Sequence, residues 1–102
     1  MPTAETALSR MRQALRAARA QRAGAVKLIH GYGSTGRGGV IRSQARRELA
    51  AMERDGKVAG FVPGEEFSPF SAAARRAVER CPELARDRDY TRCNPGVTVV
   101  LL

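Results

Sequence analysis

The sequence predicts an α/β domain in the order helix, strand, helix, strand, short helix, strand, with a parallel βαβ unit inside a small mixed sheet. Three observations predict it. Apolar residues recur at helical spacing in three stretches. Short apolar runs bounded by Gly or Pro stand between and after them. No low-complexity segment, internal repeat or linker divides the 102 residues, so one domain with one core is expected over 1–102.

The first helix begins after Thr3, whose hydroxyl can cap it, with Glu5 in a first turn that favours a negative charge. Ala4, Leu8, Met11, Leu15 and Ala18 follow at helical spacing; Arg12, Arg16 and Arg19 line another side, and Gly24 ends the helix. Ala25 to Ile29 is short, apolar and glycine-bounded, as a buried strand is. A glycine-rich loop, Gly31 to Gly39, leads into a second helix with the stripe Ile41, Ala45, Leu49 and Met52, and Arg42, Arg46 and Arg47 on its polar side. Asp55-Gly56 turns the chain into a second strand, Val58 to Val62, stopped by Pro63. A strand, a helix and a strand with short connections predict a crossover with parallel strands. Ser68 as cap and Pro69 at the first position predict a short helix carrying Phe70, Ala74, Val78 and Cys81 and ended by Pro82. Residues 83–95 are charged and irregular. Asn94-Pro95-Gly96 is a turn signal before the last strand, Val97 to Leu102. Three strands are few for an independent sheet, so an edge is expected to be covered or extended.

The chain is 43% hydrophobic, enough to fold, and carries 18 basic against 10 acidic residues. Sixteen of the basic residues are arginine, an excess to which GC-rich codons also contribute. Residues 1–23 hold five basic and one acidic residue, 24–60 seven and three, and 61–102 six of each. The whole net charge of +8 therefore lies in the first 60 residues, beside the glycine loop, and points to a polyanionic partner. No apolar stretch approaches the roughly 20 residues of a membrane span. The first residues lack the charged-then-apolar order of a signal peptide, so none is expected. Cys81 and Cys93 lack a ligand spacing and are expected as reduced thiols, so the cytoplasm is the predicted address.

Residues 26–41 are the most informative stretch. A strand delivers the single histidine, His30, into a loop with glycines at 31, 33, 36, 38 and 39. Such a loop lets backbone N–H groups approach an anion, and the following helix start adds partial positive charge. Arg37 places a full charge inside it. Gly31-Tyr32-Gly33-Ser34-Thr35-Gly36 matches G-x-G-x-x-G, with Glu65 or Glu66 available for a ribose, but a dinucleotide fold needs two such halves and this chain has room for one. A Walker loop is excluded because no lysine follows the last glycines. His30 has two readings. It either braces the loop by hydrogen bonding, or it contacts phosphate or acts as acid or base. Glu65, Glu66, Asp87 and Asp89 could hold a cation for phosphodiester cleavage, although solvated loop charges are the commoner explanation. No resident metal or cofactor is expected.

Leu28-Ile29-His30-Gly31-Tyr32-Gly33, the helix after it, and Gly96-Val97-Thr98-Val99-Val100-Leu101 resemble the Smr (small MutS-related) domain. In that family a strand ends in His-Gly-x-Gly, a helix follows, and a last strand carries a Gly-x-Thr-x-Val-like signature. The resemblance covers residues 3–62 and 96–102. It implies a two-layer α/β sandwich, nucleic-acid binding and, in some members, cleavage of DNA or RNA. His30, Gly31 and Gly33 match the family's loop; Ser34, Gly36, Arg37, Gly38, Gly39 and Arg42 join them on local chemistry as phosphate-binding candidates, with Arg12, Arg16 and Arg19 extending the contact. His30 is the candidate catalytic residue. The family's opening strand with a Leu-Asp-x-His-like motif is missing from this sequence, and 64–95 reads as an insertion. Three functions are therefore expected in turn: a binder of DNA or RNA backbone, an endonuclease, and a non-enzymatic module that pairs through an open sheet edge with another protein or another copy of the chain.

Overall fold

The computed structural model describes residues 3–31 and 37–102, except for the side chains of 37 and 38. Helix α1 spans Ala4–Ala20, strand β1 Ala25–Ile29, helix α2 Arg37–Arg54, strand β2 Gly60–Pro63, helix α3 Ala72–Arg80 and strand β3 Val97–Leu101. Two 3-10 turns, Gly64–Glu66 and Pro82–Arg86, flank α3.

Local chemistry sets the ends. Thr3 Oγ1 accepts from the Thr6 amide at 3.1 Å and caps α1. Its other end closes not at Gly24 but at Arg22, in the left-handed region at φ 59°. There the Ala23 amide reaches Ala18 O and the Arg22 amide reaches Arg19 O, which satisfies two carbonyls of the last turn. Helix α2 ends the same way with Gly56 at φ 75°, the turn expected at Asp55-Gly56. The cap of α3 is Ser71, whose hydroxyl accepts from Ala74, rather than Ser68. The helix consequently starts later than expected, and Phe70 lies 92% exposed outside it. Phe67, fully buried and edge-on to Tyr90 at 5.0 Å, fills the core instead.

The sheet corrects the expected pairing. Its order is β1-β3-β2, and both pairings are antiparallel, with Ile29 opposite Val97 and Pro63 opposite Thr98. Strands β1 and β2 do point the same way, as a crossover through α2 requires, but β3 lies between them, so no parallel pair forms among the described residues. A crossover fixes direction and not adjacency. The central slot goes to β3, buried at all five positions, because it is the strand apolar enough for both faces to be covered.

Both faces are indeed covered, which corrects the two-layer expectation. On one face Leu8, Met11 and Leu15 of α1 and Ala45 and Leu49 of α2 pack on Val26, Leu28, Phe61 and Val100. On the other, Phe67, Ala74 and Ala77 pack on Val62, Val99 and Leu101. Residues 64–95 supply that second layer. Lys27 of β1 fastens it: its Nζ donates to Asp87 at 3.0 Å and to the buried Asp89 at 2.6 Å. Burial opposes the Lys27 charge, but the bonds to Asp89 and Asp87 outweigh it and raise the pKa above its ordinary value.

Candidate functional site

Strands β1 and β2 end, and β3 begins, at the same end of the sheet. There Gly96 O accepts both the His30 and the Gly31 amides at 3.0 Å, holding the start of the glycine segment against the start of β3. Gly31 sits at φ 78°, a backbone conformation that a side chain would strain.

The His30 ring faces α2. Its Nδ1 lies 2.8 Å from Gly31 O, and its Nε2 lies 2.9 Å from Thr98 Oγ1. A carbonyl oxygen only accepts, so Nδ1 carries the proton and the lone pair of Nε2 takes the Thr98 hydroxyl proton. Thr98 Oγ1, fully buried on β3, in turn accepts from Arg46 Nε at 3.1 Å. A protonated ring would put a second donor on that oxygen. Burial pushes the His30 pKa below its ordinary value; the Gly31 bond and Glu65 oppose this, and the positive charges of Arg46 and Arg42 add to it. His30 is therefore a neutral ring of fixed tautomer.

Arg46 connects this group to the second layer. Its Nη1 and Nη2 donate to the two carboxylate oxygens of Glu65 at 2.8 Å each. Nη2 also reaches Val97 O at 3.2 Å and Pro95 O at 3.4 Å. Glu65 belongs to the 3-10 turn after β2, which approaches the chain so closely that a Cβ on Gly64 would lie 2.7 Å from Val97 O. Partial burial opposes ionisation of Glu65, but the Arg46 hydrogen bonds outweigh it and hold the pKa below its ordinary value.

The sequence-predicted residues divide into groups. His30, Gly31 and Arg42 meet at this end, where Arg42 is one helical turn from Arg46. Gly38 and Gly39 stand in the first turn of α2. Gly33, Ser34 and Gly36 lie outside the described residues, as does the side chain of Arg37. Arg12 is elsewhere. Its Nε and Nη2 clasp Glu48 at 2.7 and 2.6 Å across the α1–α2 seam, and its Nη1 is 3.5 Å from Glu5. Arg12, Arg16 and Arg19 line a cleft of about 420 Å³ there with Glu48, Asp55 and Lys57. Arg10 takes the place expected of them. It lines a cavity of about 310 Å³ with Leu28, Ile29, His30, Ile41 and Ala45.

Sequence reasoning missed Arg10, Arg46 and Thr98 as members of this site. Thr98 had a signal, the Gly-x-Thr signature of the last strand. Arg46 stands one turn after Arg42 on the same polar face, but nothing in its spacing foretold Glu65 as partner. The acidic residues considered for a cation are bound otherwise: Glu65 by Arg46, and Asp87 and Asp89 by Lys27. Among the described residues no group of three His, Cys, Asp or Glu could hold a metal ion. Cys81 and Cys93 are free thiols. Among the described residues no helix is long and apolar enough to cross a membrane.

Compared with known families, residues 1–67 match the family model described as the Smr domain. No curated protein and no solved structure matched the chain.

Proposed function

The chain belongs to the Smr domain family, whose members are generally nucleic-acid-binding or nuclease-like, and from that premise we propose that it binds the phosphate backbone of DNA or RNA at the His30 end of the sheet. The observation that carries this reading is the His30 group: a histidine bonded at both ring nitrogens, at the root of the glycine segment, with Arg42 and Arg46 beside it. The histidine braces Gly31, the first-turn amides of α2 offer donors, and the arginines supply charge. Arg10 extends the surface across the neighbouring cavity. Contacts of this kind carry little base information, so recognition follows backbone shape. Fluorescence anisotropy with labelled single-stranded and duplex DNA and RNA at two salt concentrations tests it. Affinity falling steeply with salt is expected, because bound counterions are released. Affinity equal at both, or no binding to any form, refutes it.

Cleavage is a further step and needs His30 Nε2 to leave Thr98. Incubation with branched DNA and structured RNA, with and without magnesium, tests it. Product formation lost in His30→Ala supports a nuclease; activity indifferent to that change refutes it.

A specific observation favours one other reading. Strand β1 is an edge of the sheet, Ile29 is 78% exposed on it, and the cavity beside it is lined mainly by apolar groups. Such an edge suits pairing with another strand, including that of a second copy. Light scattering across a concentration series tests self-pairing, and a constant monomer mass refutes it.

A further inference from the structure

We propose that Arg46 is a phosphate-binding residue of this site, and that Glu65 occupies its outer edge until an incoming phosphate displaces it. The proposal rests on the nucleic-acid reading above only for the identity of the phosphate carrier.

The guanidinium is held by the protein independently of Glu65. Its Nε donates to Thr98 Oγ1 at 3.1 Å, and Nη2 donates to Val97 O at 3.2 Å. Thr98 is itself fixed by His30, so the plane of the guanidinium is set by β3 and α2 together. An arginine held this way loses little rotamer entropy when it takes a ligand. Its remaining edge presents Nη1 and Nη2 to Glu65, with both oxygens at 2.8 Å. That two-point geometry is shared by carboxylates and phosphates, so the carboxylate stands where two phosphate oxygens would stand.

Glu65 is a displaceable occupant. Its side chain is 42% exposed against 17% for Arg46, and it sits on a turn of three residues. An ion pair open to solvent on one partner holds weakly against a competing anion. Charge favours the exchange. Arg42 acts on both His30 and Glu65, so two arginines face one carboxylate beside a neutral histidine. One positive charge is left over, and a phosphodiester carries one negative charge. A purely architectural clip between the turn and α2 would have the same bonds, and the experiment separates the two.

Glu65→Gln keeps a carbonyl for Arg46 but removes the charge. Glu66→Gln, at the exposed neighbour, makes the same charge change away from the fork. Relative to Glu66→Gln, Glu65→Gln is expected to bind a labelled single-stranded oligonucleotide about 2- to 5-fold more tightly, the worth of an exposed ion pair. Its log–log salt slope on the same single strand is expected to steepen by up to about 0.7, because Arg46 then neutralises one phosphate without setting a carboxylate free. Equal affinities and slopes in the two variants, or weaker binding in Glu65→Gln, overturn the proposal. The second arm needs no nucleic acid. The Arg46 Nε–Hε resonance is followed by NMR during titration with inorganic phosphate, and is expected to shift at lower phosphate in Glu65→Gln than in the wild type. A resonance that moves in neither protein overturns the Arg46 assignment even where an oligonucleotide binds. A phosphate response without any oligonucleotide binding leaves Arg46 an anion site and refutes the nucleic-acid reading instead.

Discussion

Gly64→Ala tests whether the turn that carries Glu65 is held by close backbone contact. A Cβ at Gly64 would meet the carbonyl of Asn94, with Val97 Cγ2 at 2.6 Å and Val97 O at 2.7 Å. Ordinary contact begins near 3.4 Å, so the alanine needs at least about 0.7 Å of relief from Val97 O alone. Two of the three obstructing atoms are backbone carbonyls, of Asn94 in the turn before β3 and of Val97 at its start, and cannot swing away. The turn Gly64–Glu66 must therefore lift off β3. Overpacking of this kind costs about 1–3 kcal/mol, and the backbone obstruction places it at the upper end. For a domain of this size that lowers Tm by roughly 10–20 °C. The lifted turn also carries Glu65 away from Arg46, so the Arg46 Nε–Hε resonance should move. Gly39→Ala is the counterpart: nothing stands within 4 Å of its Cβ, it lies inside α2, and the alanine should stabilise by about 0.5–1 kcal/mol. Thermal unfolding followed by circular dichroism reads both. A Gly64→Ala protein that melts with the wild type refutes the close-contact argument.

Three other outcomes follow from the same contacts. Lys27→Ala leaves Asp89, whose side chain is only 9% exposed, with its Asn94 hydrogen bond but without its cation, and should cost about 3 kcal/mol in urea unfolding, the lower end for a broken buried pair; a loss below about 1 kcal/mol contradicts the fastening role. The folded His30 pKa lies below the ordinary 6.5, so the unfolded chain takes up its proton first as pH falls; stability should drop from pH 6.5 down to the folded value, and His30→Gln should lack that part of the loss in urea midpoints at about pH 7.5 and 5.5. Arg22→Gly relieves a left-handed arginine at the end of α1 and should raise stability by about 0.5–1 kcal/mol, where an unchanged midpoint would deny the strain.

Much of the fold is local and therefore legible. Thr3, the stripe Leu8–Met11–Leu15 and the Asp55-Gly56 turn each act within a few residues, and α1 and α2 follow from them. Direction in a sheet is also legible, because a single helix, α2, carries the chain back to the end at which β1 began. Adjacency is not. The place of β3 between β1 and β2 depends on pairing Ile29 with Val97 and Pro63 with Thr98, contacts that span most of the chain. Ser68 and Ser71 show a finer limit. Both precede a helical pattern, and the choice between them turns on whether Phe67 or Phe70 fills the space over Val62 and Val99, which is a question of packing. The covered second face was hidden for the same reason. Residues 83–95 look irregular because Lys27, Asp87, Asp89 and Asn94 hold them through side chains rather than through a repeating backbone pattern.

The site was legible in its loop and illegible in its charges. Sixteen arginines look alike in a sequence, and net charge says only that a polyanion is welcome somewhere. What separates them is their partners. Arg12 has Glu48 36 positions away, and Arg46 has Glu65 19 positions away, both in two-point contact. Arg12 sits between two helices that need joining, so its pair is spent on packing. Arg46 is already fixed by Thr98 and Val97, so its pair with Glu65 adds little to the placement of the guanidinium. Among the described residues Arg10 and Arg42 form no ion pair at all. A phosphate approaching His30 therefore meets two arginines without an ion pair among the described residues and one whose carboxylate is redundant, while the arginine stripe most conspicuous in the sequence lines the separate cleft between α1 and α2. The redundancy of Glu65 is the physical reason to expect function at Arg46 rather than at Arg12: an interaction that the fold does not need for placement is the one that a ligand can replace.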